Sequence, residues 1–134
     1  MPTRTFAILA SIIFCSPSSG QILNPSFETV SRCFFVYAAI TELGRDLPHP
    51  QLFQFGQPRV GWVGGYMQAN QSNATFTRVF EGSLPRNKEM AVQLQSSLRR
   101  AISARNQSAF SSVIDQAIAC DRALGIRINF VPSL

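Results

Sequence analysis

The chain predicts an all-α fold: a small disulfide-stapled helical bundle of about four helices after an N-terminal signal peptide. Three observations carry that reading. Apolar residues recur at spacings of three and four, helix-starting and helix-stopping residues punctuate them, and the two cysteines beyond the leader fall on inward faces of the first and last predicted helices.

The leader comes first. Arg4 precedes the apolar run Phe6–Phe14, which breaks at Ser16-Pro17-Ser18-Ser19-Gly20. A run of about nine residues falls far short of the roughly 20 needed to span a bilayer as a helix, and Ser18 and Gly20 are small enough for a signal peptidase. Residues 1–20 are therefore expected to be removed, leaving one helical domain over 21–134 with no stable transmembrane span. The rival is an uncleaved anchor, which the short run and Pro17 disfavour. A lipoprotein signal is disfavoured by Phe14, which stands before Cys15 where such signals use a small residue.

Asn24-Pro25-Ser26 reads as a turn, with Ser26 as N-cap of a helix running to about Leu43 and stopping at Gly44. Val30, Cys33, Tyr37 and Ile40 define its face, and Phe27, Phe34 and Ala38 widen it. Phe35 and Val36 make it apolar almost all round, which predicts a central position. From Arg45 to Arg59 the prolines 48, 50 and 58 remove backbone donors, so this stretch is expected to be an ordered connecting loop pinned by Phe53 and Phe55.

Residues 60–69, the most distinctive internal stretch, are read as a helix, with strand and turn as the alternative. Gly61, Gly64 and Gly65 each cost about 1 kcal/mol of helix propensity relative to Ala, and close approach of a neighbouring helix is the expected compensation. After a turn at 70–73, residues 74–81 form a short helix capped by Asn73, or else a strand on the alternation of Phe76, Arg78 and Phe80. Ser83-Leu84-Pro85 then resembles a fresh helix start, with Pro at an early position. That helix reaches about Arg105 and buries Met90, Ala91, Leu94, Leu98, Ala101 and Ile102. The last helix begins near Asn106 or Ser108 and ends at Gly125, with Phe110, Val113, Ala117, Cys120 and Leu124 inward. Ile126, Ile128 and Phe130 alternate with Arg127 and Asn129, so an extended tail follows.

Cleavage leaves Cys33 and Cys120, an even number in an oxidising compartment, and a bond between them would staple the first and last helices. Two separate buried thiols are the alternative. Thiol-redox catalysis lacks the Cys-x-x-Cys spacing it needs.

The net charge is +5, but the basic residues are scattered, with Arg99-Arg100 the only adjacent pair. A nucleic-acid protein concentrates them in a stripe, so no nucleic acid is expected; the charge favours an acidic partner instead. His49, the only histidine, stands between two prolines, where an ordinary loop role outweighs catalysis or metal binding. Zinc lacks a ligand set, and Glu42 with Asp46 reads as a pair of solvated acids rather than a catalytic couple. No phosphate loop, dinucleotide fingerprint or nucleophile elbow is present. No catalytic residue, metal or cofactor is therefore assigned.

Recognition is expected to centre on Trp62, Tyr66 and Gln68, with Arg59 adding a polar contact, for a peptide, a polysaccharide or an envelope protein. The competing explanation of this stretch is a packed core helix. Asn70, Asn73 and Asn106 begin formal glycosylation sequons. The chain is thus expected to be an exported, periplasmic or secreted binding protein; its rivals are a small secreted hydrolase whose residues converge only in the fold, and an envelope-stress chaperone.

Overall fold

The computed structural model describes residues 25–134. The predicted signal peptide lies outside them. The described residues form four helices: α1 (Phe27–Asp46), α2 (Pro50–Ala69), α3 (Ala74–Ser103) and α4 (Gln107–Leu124). None is long and apolar enough to cross a membrane. No strand occurs among the described residues, and the alternating tail 126–134 joins no ladder.

Helix α1 starts where its cap requires. The Ser26 hydroxyl accepts from the Thr29 amide at 3.1 Å, satisfying a first-turn donor that has no intrahelical partner. Its apolar girdle places Val30, Cys33, Val36, Tyr37, Ile40 and Leu43 in full burial. Every other helix packs on α1, whereas α2 packs closely on neither α3 nor α4. Paired positions set the directions: Gly64 lies over Phe34 and Gly56 over Thr41, so α2 runs antiparallel to α1. Contacts of Glu28 with Arg86, Ala39 with Gln95, and Asp46 with Arg99 climb both helices together, so α3 runs parallel to α1. The chain goes up, down, up and down, and its first helix is the shared axle.

Cys33 and Cys120 form the disulfide, with Cα atoms 5.6 Å apart across 87 residues of sequence and both side chains fully buried. It joins the axle to α4. That bond was readable because each cysteine sits on the apolar stripe of a helix with clear caps. The Asn106 side chain accepts from the Ala109 amide at 3.0 Å, and Gly125 ends α4 in left-handed backbone at φ 74°.

Three expectations are corrected. The loop predicted over residues 45–59 shrinks to a turn at 47–49, and α2 begins at Pro50. Proline at the first helical position forfeits only an amide that had no partner, and His49 supplies the cap through Nδ1, which accepts from the Leu52 amide at 3.4 Å. Pro58 lies inside α2, on its exposed side, where water can take over the carbonyl it leaves unpaired. The break predicted at Ser83-Leu84-Pro85 is likewise absent: α3 runs through Pro85 for 30 residues. Ser83 and Asn87 are buried on either side of that proline, and the Ser83 hydroxyl donates to the Val79 carbonyl at 2.9 Å.

The glycines form the third correction. A Cβ at Gly61 or Gly65 would meet nothing within 4 Å, and one at Gly64 would touch only Phe34 at 3.7 Å. No helix crowds them. The close approach lies one turn nearer the hairpin, where a Cβ at Gly44 would sit 2.5 Å from the Phe53 nitrogen and one at Gly56 would overlap the Thr41 hydroxyl. Absent side chains at these two points let α1 and α2 touch along their backbones. Gly56→Ala is accordingly expected to lower stability by about 1–3 kcal/mol through overpacking. Gly61→Ala and Gly65→Ala should raise it by up to about 1 kcal/mol each through helix propensity. Urea midpoints of the three variants check both signs.

Candidate functional site

The densest polar chemistry lies inside the molecule, where three helices meet. Arg59 on α2 and Asp121 on α4 form a two-pronged ion pair: Nε donates to Oδ1 and Nη2 to Oδ2, both at 2.8 Å. The remaining arm, Nη1, donates to the Phe55 carbonyl at 2.8 Å, and the guanidinium lies 3.8 Å from the centre of the Phe55 ring. From α1 the Tyr37 hydroxyl donates to Asp121 Oδ1 at 2.6 Å. Burial and the adjoining Asp121 carboxylate hold this phenol protonated, with its pKa well above the ordinary tyrosine range.

Arg59 is 7% exposed, and Tyr37 and Asp121 are fully buried. A substrate has no route to these groups. What the arrangement does is connect α2 directly to α4, whose backbones do not otherwise approach, while the Tyr37 hydroxyl ties α1 to the same carboxylate. Such a two-pronged pair is directional in a way that apolar contact is not, and it sets the rotation of both outer helices about α1.

Of the four residues expected to form a recognition surface, one lies in the interior. Arg59 belongs to the interior, so its expected role as a polar contact on the surface is replaced by the pair with Asp121. Trp62 and Tyr66 are half-buried and pack against the core, and the Tyr66 carbonyl accepts from Asn70 Nδ2 at 2.9 Å. Gln68 alone is open, at the rim of a groove.

That groove is shallow, and of the concave features on the described surface it has the most apolar lining. Met67, Gln68 and Gln71 from the end of α2 and its turn form one wall; Phe76, Thr77, Phe80, Glu81 and Leu84 from α3 form the other. It encloses about 400 Å³. It lies where α2 and α3, joined by the turn at 70–73, both pack on α1 without packing closely on each other. Its aromatic floor is stacked. The Phe76 and Phe80 rings lie 6.0 Å apart, and Phe27 and Phe35 of α1 back them at 5.2 and 6.2 Å. Asn73 holds the start of α3 in register, accepting from the Thr75 and Phe76 amides at 2.9 and 3.2 Å.

The other sequence candidates take structural places. His49 caps α2 and stacks on Phe110 with ring centres 5.9 Å apart. Glu42 is exposed, and Asp46 reaches Arg99 at 3.8 Å on the surface. Among the described residues no three metal-ligating side chains gather.

Comparison with other proteins supplies no function. No family model, curated protein or solved structure matches this chain. The groove and the buried pair therefore stand on their own chemistry. Sequence reasoning missed the pair because Arg59 had been placed in a loop. Once 50–69 is helical, Arg59 follows Leu52 and Phe55 and precedes Val63 on one buried stripe, and a charge on such a stripe calls for an opposite charge elsewhere.

Proposed function

We propose that this is an exported helical binding protein that holds an apolar peptide segment in the groove between α2 and α3. The observation that carries the reading is the groove's make-up: Met67, Phe76, Phe80 and Leu84 offer apolar wall, and Gln68, Gln71 and Thr77 stand at the rim where a peptide backbone needs donors and acceptors. A peptide suits it better than a polysaccharide, because the Trp62 and Tyr66 faces that sugars would stack on are partly taken up by core packing. Export is supported by the leader's layout and by the buried disulfide, which persists in oxidising compartments.

The test is a titration of amphipathic peptides into the protein, followed by amide chemical shifts. Shifts should cluster at residues 67–84. Phe80→Glu and Leu84→Glu should weaken binding at least tenfold while leaving the helical circular dichroism intact; binding unchanged in both variants rules the groove out.

The chaperone reading retains one specific observation. Ile128, Phe130, Val131 and Leu134 of the tail are all at least 37% exposed, which makes an apolar strip of it. Phe130 rests edge-on against Phe55, and Gln51 and Gln107 each accept from one tail amide, so the strip is held at few points. If the tail rather than the groove binds clients, removing residues 127–134 abolishes suppression of aggregation and the groove variants do not.

A further inference from the structure

A second concave feature lies between the first turns of α1 and the middle of α3, and it shares no residue with the apolar groove. Its volume is about 270 Å³, the scale of a single sugar ring with its substituents, and every residue lining it carries a polar or charged side chain. Two arginines enter from opposite sides. Among the described residues Arg32 makes no hydrogen bond or ion pair. Arg86 makes only a loose contact with Glu28, at 3.4 Å between side chains that are each 69% exposed. Both guanidinium groups keep most of their donors for a ligand.

The floor is different from the rim. Asn87 is 3% exposed, yet it lines the cleft. Its Nδ2 donates to the Ser83 hydroxyl at 3.2 Å, and that hydroxyl is already committed to the Val79 carbonyl. Among the described residues nothing donates to Asn87 Oδ1, and the second amide hydrogen has no acceptor. Among the described residues the one sealed-in side-chain polar atom without a partner is the Ser31 hydroxyl, so Asn87 Oδ1 stays accessible from the cleft and free to accept from a ligand hydroxyl. The amide is held beside Pro85 by its bond to Ser83.

The requirements of rim and floor point to a ligand carrying two kinds of group. The arginines ask for an anionic oxygen pair, which a carboxylate presents in the geometry of a guanidinium fork. Asn87 Oδ1 and the Glu28 carboxylate ask for hydroxyl donors. We propose that the cleft binds a hydroxylated carboxylate, a sugar acid, with its carboxylate between Arg32 and Arg86 and a ring hydroxyl on Asn87. Glu28 then exchanges its weak contact with Arg86 for a hydroxyl of the ligand. The site is independent of the peptide groove, and the excess of Lys and Arg over Asp and Glu in residues 21–134, eleven against seven, favours approach of an acidic ligand.

The experiment titrates glucuronate, glucose and acetate separately into the disulfide-bonded protein and reads side-chain amide and guanidinium chemical shifts. Glucuronate should bind saturably and move the Asn87 side-chain amide. Glucose, which lacks the anion, and acetate, which lacks the hydroxyls, should each bind at least tenfold more weakly. Arg32→Gln, at an exposed position, should weaken glucuronate at least tenfold without moving the thermal midpoint. Asn87→Asp retains the shape of the floor but adds a negative charge, and should lose the carboxylate. Absence of saturable glucuronate binding overturns the proposal. So does glucuronate affinity unaltered in Arg32→Gln, or acetate binding as tightly as glucuronate, which would leave a bare anion contact.

Discussion

Asp121→Ala is expected to destabilise the protein by about 3–5 kcal/mol, the cost of leaving one partner of a buried ion pair charged and unmatched. The loss exceeds that of the two-pronged bond itself. Arg59 cannot reach water without opening the contact of α2 with the core, and the Tyr37 hydroxyl loses its acceptor at the same stroke. Double replacement with apolar residues, Arg59→Met with Asp121→Leu, removes both charges together and should restore most of the stability. Urea denaturation of Arg59→Met, Asp121→Leu and the double variant gives the coupling directly. A small loss in Asp121→Ala, or a double variant no better than the sum of the singles, would mean that solvent enters the centre and that the pair is not sealed.

The second large effect belongs to the disulfide. Joining positions 87 residues apart removes loop-closure entropy from the unfolded chain, worth about 4–5 kcal/mol in the chain-entropy model. That is a large part of the stability of an ordinary small domain. The variant Cys33→Ala/Cys120→Ala should therefore unfold at a much lower urea concentration. In the wild-type protein both sulfurs are fully buried, so dithiothreitol should leave the native state oxidised and act only once denaturant has opened it. Reduction at the same rate in the absence of urea would show that α4 separates from α1 in the native state.

These two cross-links differ in how far the sequence disclosed them. Cys33 and Cys120 were legible because both stand on strongly periodic helices, one capped by Ser26 and the other closed by Gly125, so their inward direction follows from spacing. The Arg59–Asp121 pair was hidden by proline. Pro48, Pro50 and Pro58 read locally as a loop, yet proline is harmless at the first helical position and tolerable on a wet face, and α2 uses both allowances. Histidine is also an uncommon N-cap, so His49 gave no start signal. The same reasoning applies at Pro85, where the long amphipathic stripe of α3 overrides a local break.

The groove was half legible. The stretch 60–69 stood out for its aromatic and glycine content, but spacing alone does not say which side chains face a neighbour. Core packing takes up much of Trp62 and Tyr66, and Met67 and Gln68 line the groove at the end of α2. The opposite wall, Phe76 and Phe80, reads from spacing only as part of a short helix or strand, with no face assigned. Only the seating of α2 and α3 on α1 brings these residues to a shared opening, and that seating is a property of the packed bundle. The buried Asn87 likewise has no sequence signal, since a lone asparagine two residues after a proline is ordinary surface composition.

The intact mass of the protein recovered from the exported fraction, measured before and after alkylation under denaturing but non-reducing conditions, tests most directly whether this is an exported bundle closed by one internal bond. The predicted result is a chain starting near Gln21, two hydrogens lighter than its reduced form, that takes up no alkylating label until it is reduced. A chain that retains residues 1–20, or one that takes up two labels without reduction, would contradict it.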